Sequence, residues 1–491
     1  MTASSWELAG MLAGCGAAAL AILARDPRLR LGAIAVAMTI APVLVAGDVW
    51  HQPRVVLFRE DTAQVAAVAV AAVVVVVALA VLLARFPAAF GVLALALLPL
   101  RVPVEIGGET ANLLIPLYAL IAGAVTAALW TTWRGGSGAG RDSGPGAVVG
   151  LSRDPASWLR WILALTLVAY AAQSAYSRDV SNAIENAGFF LIPFAVMFAL
   201  LLEIRWSRRL LTAALVAVGA MATLFAGIAI YQWVARDLFL NSELLESNQL
   251  HQYFRVNSLF FDPNILGRYL ALAITAGAAV VAWTNDRRAH AAGAALAGFA
   301  LVAVGFTFSI TSVAALVAGL ATLAVIRWRI RGAALTAALG VAAAAVFLGA
   351  GGVPSTDLER DRGFDSGRGD LVSGGLELAD ERPVAGWGSG SFGVAYWEEI
   401  EPVRMTISHA EPVTVAAEQG SLGFLVYVAL VVAAIVVLFT GRDARTPARP
   451  AVAACFVVML VHSFGYAGFA IDPATWALLA LGVSLRERPP D

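Results

Sequence analysis

The stretch "TISHAEPVTVAAEQGSLGFLVYVAL" (residues 406–430) runs from a histidine and two glutamates directly into an apolar segment of membrane-crossing length. Pro412 fits the first turn of a helix, and that helix continues into a predicted span at 420–440. Glu411 and Glu418 are seven residues apart and so share one helical face. His409 then sits just outside the positive end of the helix, where the dipole favours a neutral imidazole and a nearby anion. A neutral histidine beside an anion is the arrangement a general base needs at neutral pH. A histidine that only hydrogen-bonds its own loop is the commoner use of such a residue.

The whole chain shares this character. Of 491 residues, 60% are hydrophobic and 14% are charged, about half the charged fraction of water-soluble domains. The apolar runs are continuous rather than alternating, which argues for helices and against a barrel. Candidate spans fall at 6–24, 29–46, 63–84, 87–103, 111–130, 158–175, 182–203, 210–234, 264–284, 290–308, 311–326, 333–352, 420–440, 451–469 and 473–485, of which the fourth, eleventh and last are short enough to be re-entrant or tilted instead. The expected fold is an all-α polytopic membrane protein, a bundle of about 12–15 transmembrane helices with one long extracytoplasmic loop. Segment 6–24 lacks a basic leader and a clear cleavage site, and reads as a retained helix. The expected divisions are N-terminal helices over 1–203 with a Gly/Ser-rich linker at 134–157, central helices over 204–352, the loop 353–419, and C-terminal helices over 420–491.

The net charge is −1 and no lysine occurs, so no broad basic field points to nucleic acid. Cys15 and Cys455 lie far apart in apolar runs and read as small buried hydrophobes. Arginine bias sets the orientation. "ARDPRLR" (24–30), the linker 134–157, "RWSRR" (205–209), "NDRR" (285–288), "RWRIR" (327–331) and "GRDARTPAR" (441–449) are expected on the cytoplasmic side. Loops 47–62, 235–263 and 353–419 then lie outside, with the C-terminus inside and the N-terminus outside. The loop 353–419 is acidic, which makes its few arginines, among them Arg368 and Arg404, the informative residues.

Three further segments carry candidate chemistry. In "HQYFRVNSLFFDPNILGRYLALAI" (251–274), Asp262–Pro263 reads as a helix cap, with Arg255 before it and Arg268 one turn into the span. An arginine inside a span usually faces a cavity or a partner, although Arg255 also fits an interfacial, snorkelling side chain. In 365–397, "LVSGGLELAD" suits a short amphipathic helix with Arg368 just ahead of it. "GWGSGSFG" (386–393) lacks the features of a phosphate-binding P-loop, and its glycines fit a tight backbone path. "GFTFSITSVAAL" (305–316) places Ser309, Thr311 and Ser312 near the end of a span, where hydroxyls commonly bond back to the helix. "EEIE" (398–401) is an acidic run, but adjacent loop carboxylates seldom converge on a metal unaided.

Taken together, an arginine ahead of "FFDPN", a Ser/Thr-bearing span, "PVAGWGSGSFGVAY" and "HAEPVTVAAEQGSLG" resemble the O-antigen ligase and polymerase superfamily of bacterial membrane enzymes, over roughly residues 250–440. The resemblance implies extracytoplasmic glycan transfer of the GT-C type in the bacterial plasma membrane, with no metal and no cofactor. A polyprenyl-diphosphate-linked glycan would be the donor, and the hydroxyl of a glycan, glycolipid or protein the acceptor. Carried over by motif, Arg255 and Arg368 would bind the diphosphate, and His409 would take the acceptor's proton as the reaction inverts the anomeric centre. Asp262, Asn264, Arg268, Arg404, Glu411 and Glu418 complete the candidate substrate-binding set. The chain departs from the family's pattern at Ile310–Thr311, where an arginine often follows the serine, and at Ala410, where an asparagine is common. A polymerase would use the same half-reaction. A transporter would show broken, charged mid-membrane helices in repeated halves, which this sequence lacks.

Overall fold

The computed structural model describes residues 4–106, 109–134, 147–239, 244, 245, 248, 253–334, 336, 368–402, 407–440 and 447–488. Eleven of its helices are long and apolar enough to cross a membrane, and the 16-residue apolar helix Ala448–Ser463 accompanies them. The chain is a multi-pass helical membrane protein. The segment expected as a span at 333–352 lies almost wholly outside the described residues, as do the linker 135–146, residues 353–367 and Arg404.

One device starts four of the helices. Asp26, Asp154, Asp262 and Asp472 each precede a proline, and each carboxylate accepts a backbone N–H from the first turn. The proline loses nothing by lacking an N–H there, and its fixed φ already suits a helix. Burial then sorts the helices by environment. In the most apolar stretch of the valine-rich helix Thr62–Arg85 only 6% of the residues are buried, so it lies on the outside of the bundle, whereas in Val180–Glu203 72% are buried, so it lies inside. A π-helical turn over Asn186–Leu191 lies within the latter.

The packing divides into two large clusters. One gathers the helices of the first 203 residues together with Leu430, Val437, Phe456, Trp476 and their neighbours. The other comprises Phe225, Phe260, Leu266, Tyr269, Leu316 and neighbours, plus Val458. Phe456 and Val458 are two residues apart, so the helix Ala448–Ser463 is shared by both clusters. At one end of the bundle, arginines form ion pairs: Arg30 with Glu203, Arg160 with Glu487 at 2.7 Å, and Arg486 with Asp154 at 3.3 Å. The candidate functional residues gather at the opposite end.

The expected span at 87–103 is corrected. It is a nine-residue helix, Ala89–Leu97, followed by an antiparallel hairpin pairing Val102–Ile106 with Glu109–Leu113. Pro99 and Pro103 interrupt the apolar run, since neither can supply an N–H to continue a helix. The long loop is also partly helical. Arg368–Glu381 forms the amphipathic helix its pattern suggested, and its Leu371 and Leu378 pack with Trp387, Phe392 and Tyr396 of the following segment.

Candidate functional site

The site is assembled where helix ends from both clusters meet. The helix Pro263–Trp283 begins there, Arg287–Phe306 ends there, Ile310–Trp328 and Glu411–Phe439 begin there, and the turn 464–472 joins the last two helices.

Arg255 is fixed from three directions. Its backbone exchanges two hydrogen bonds with the Asn248 amide at 2.9 and 3.0 Å, and its Nε donates to the Thr307 carbonyl at 2.9 Å. Its Nη2 reaches Asn264 Oδ1 at 3.5 Å. That same oxygen accepts from Ser309 Oγ at 2.7 Å; Ser309 Oγ lies 2.8 Å from Ser312 Oγ, which lies 3.2 Å from His462 Nε2. Ser309, Ser312 and Asn264 are buried, and buried hydroxyls and amides hold position only when bonded. A polar string therefore crosses the packed interior from Arg255 to His462.

Arg268 forms a second group. Its guanidinium pairs with Asp472 at 2.5 Å with both side chains buried, and lies 5.9 Å from the centre of the Tyr466 ring. Burial raises the pKa of the Tyr466 hydroxyl, and the nearby Asp262 carboxylate adds to the rise. Arg101, just before the hairpin, completes the group. Desolvation lowers the pKa of its guanidinium, with Asp472 opposing that shift and Arg268 reinforcing it.

His409 adopts a left-handed backbone conformation, φ 63°, one residue before the Ala410 cap of the helix Glu411–Phe439. Asn, Asp and His are the side chains that tolerate this region best. Its ring centre is 6.0 Å from that of Tyr466, which is 5.9 Å from that of His462. Tyr466 is thus the common neighbour of His409, His462, Arg268 and Asp262. Glu411 ties the two segments together: its carboxylate accepts from the backbone N–H groups of Gly468, Phe469 and Ala470 at 2.6, 3.1 and 3.3 Å.

The glycine-rich stretch is a packing wedge. Gly388 has φ +100°, and a Cβ there would stand 2.3 Å from Ser177 Cα. Gly420, φ 61°, breaks the helix Glu411–Phe439, and a Cβ on it would stand 2.4 Å from the Val384 carbonyl. Glu418 holds the wedge shut by accepting from Gly390 N at 3.0 Å and Phe392 N at 3.1 Å. Two carboxylates of "EEIE" are also engaged, Glu398 and Glu399 pairing with Arg178 at 2.6 and 2.7 Å.

The structure thus gathers Asp262, Arg268 and His409 around Tyr466, links Arg255 and Asn264 to them through the polar string that ends at His462, and ties Glu411 to the turn that carries Tyr466, while Glu418 lies in the adjoining wedge. Arg368 starts its helix, with its side chain outside what is described. Sequence reasoning missed Arg101, His462, Tyr466 and Asp472. Two of them had a signal: Arg101 is a lone arginine in the apolar run 87–103, and Asp472 heads an Asp–Pro cap like that at 262–263.

Beside this group opens a cavity of about 520 Å³. It begins at Arg101, Arg268 and Asp472 and ends near Arg208, Trp283 and Thr284. It follows the helix Pro263–Trp283 from Ile265 to Trp283, roughly 27 Å at 1.5 Å per residue. Its walls are largely apolar.

No curated protein matches the chain. The O-antigen ligase family model matches residues 292–428, which include Ser309, Ser312, His409, Glu411 and Glu418 but not Arg255, Asp262, Asn264 or Arg268. The match over residues 292–428 assigns that part of the chain to the O-antigen ligase superfamily, the one its motifs resemble.

Proposed function

We propose that the chain transfers a glycan from a polyprenyl-diphosphate carrier to an acceptor hydroxyl on the extracytoplasmic face of the bacterial plasma membrane. The family match supports a lipid-linked glycan ligase- or polymerase-like role. The arginine-rich end of the bundle would face the cytoplasm, which puts Arg255, Arg268 and His409 outside.

In this reading Arg255 and Arg368 hold the diphosphate, joined by Arg101 and Arg268. Guanidinium forks pair phosphate oxygens and stay charged. The acceptor oxygen attacks the anomeric carbon from the face opposite the diphosphate. The bond from that carbon to the diphosphate oxygen breaks with its electron pair, and the acceptor's proton passes to His409, so the anomeric centre inverts. Fixed cations placed where the leaving diphosphate gains charge lower the barrier without reorganising.

The carrying observation is the long, largely apolar cavity with Arg101 and Arg268 at one end, and with Tyr466 between Arg268 and His409: it suits a lipid bearing an anionic head. The test is transfer by purified protein from a polyprenyl-diphosphate glycan with EDTA present. Full activity under chelation, with donor KM raised in Arg255→Ala, is expected. Activity lost to EDTA and restored by a divalent ion would overturn the arginine-based reading. Product chain length separates single transfer from polymerisation.

A further inference from the structure

Two exposed aromatic side chains stand beside Arg255. Tyr253 is 40% exposed and Phe308 is 47% exposed, and their rings stack at 4.8 Å with 27° between planes. Both are tied to the arginine through the backbone. Tyr253 lies two residues before Arg255 in the chain. Phe308 follows Thr307, whose carbonyl accepts from Arg255 Nε, and precedes Ser309, which bonds Asn264.

Phe308 is a poor choice for its backbone. It is the single residue between the Thr307 C-cap of one helix and the Ser309 N-cap of the next. Its φ is 49°, and its N–H bonds back to the Gly305 carbonyl at 3.1 Å. A left-handed residue just past a helix end is the position glycine normally takes, and a bulky side chain there is an outlier. Burial does not compensate, because half of the ring faces out. An aromatic that only marked a membrane interface would not need this conformation. Strained residues of this kind concentrate where a ligand is clamped.

We infer that the exposed face of the Tyr253–Phe308 pair is a sugar-stacking subsite that seats the pyranose ring next to the diphosphate. The inference rests on the function proposed above and adds what Arg255 does not recognise, the sugar itself. A pyranose presents one face of C–H groups, apolar and weakly positive. An aromatic face is apolar and weakly negative. A diphosphate anchored at Arg255 brings its first sugar to this height, so stacking orients the anomeric carbon while the arginines hold the leaving group.

The experiment compares two ligands on purified full-length protein: bare polyprenyl diphosphate and the same carrier bearing its glycan. Phe308→Gly relieves the backbone strain, so its melting temperature should equal or exceed that of the unaltered protein. Its affinity for the bare carrier should be unchanged, and its affinity for the glycan-bearing carrier should fall about 3- to 10-fold, the range expected for one aromatic contact. Phe308→Trp should restore that affinity, and Tyr253→Ala should behave as Phe308→Gly does. Equal loss for both ligands would overturn the inference and leave the pair as an anchor in lipid. Unchanged affinity for the glycan-bearing carrier in Phe308→Gly would also overturn it. Failure of the proposed function is separately visible: the unaltered protein would then bind neither ligand, or Arg255→Ala would not weaken the bare carrier.

Discussion

Replacing Glu418 with glutamine tests whether the glycine-rich wedge is held as the structure implies. Glu418 is 7% exposed, and its two oxygens accept separate backbone bonds from Gly390 at 3.0 Å and Phe392 at 3.1 Å. Glutamine keeps the shape but has one acceptor oxygen, and its NH2 group would face one of those N–H donors. A stranded buried N–H costs about 1–3 kcal/mol, and the surviving bond loses roughly another 1 kcal/mol once its acceptor is neutral. The expected destabilisation is therefore about 2–4 kcal/mol, larger for Glu418→Ala, which strands both donors and leaves a void. It should be local. Hydrogen exchange in detergent is the suitable assay, because a protein of this size does not unfold in one step. Amides across 386–399 should lose protection in Glu418→Gln, while the helix Val180–Glu203 keeps its own. Unchanged exchange across 386–399, accompanied by lost transfer activity, would refute this reasoning and turn the carboxylate towards substrate.

Asp472→Asn should destabilise the turn 464–472 by about 3–5 kcal/mol, because Arg268 is left charged and buried without its partner; replacing both residues with leucine should recover most of that loss, checked by melting temperature. Glu398→Gln with Glu399→Gln removes two exposed partners of Arg178 and should cost about 1 kcal/mol or less. Transfer activity of that double variant should match the unaltered protein, and a marked fall would point to these carboxylates in the chemistry.

The helical membrane fold was legible because apolar runs of bilayer length admit few other structures, and the Asp–Pro caps mark where four helices start. The span expected at 87–103 failed on its prolines, whose effect a sliding measure of apolarity does not register. Arg255, Asp262, Asn264, Arg268 and His409 were all readable as polar residues at span ends, and the fold brings them to one place. Their neighbours were not readable. Tyr466 is over fifty residues from His409 and about two hundred from Asp262, and only packing of the last helix pair against both clusters makes it their common contact. The duties of Glu411 and Glu418 were hidden for a related reason. Sequence shows two carboxylates on one helical face, whereas their partners are backbone N–H groups of loops whose path no local pattern specifies.

The most direct test of the central claim is the turnover of His409→Asn with a polyprenyl-diphosphate glycan donor. Asparagine accepts the left-handed backbone that His409 adopts at φ 63°, so the variant should fold and bind donor normally. It lacks a base, and the account predicts that kcat falls by roughly 10²- to 10⁴-fold with donor KM little changed. Turnover within a few-fold of the unaltered protein would contradict the assignment of His409 as the group that receives the acceptor's proton.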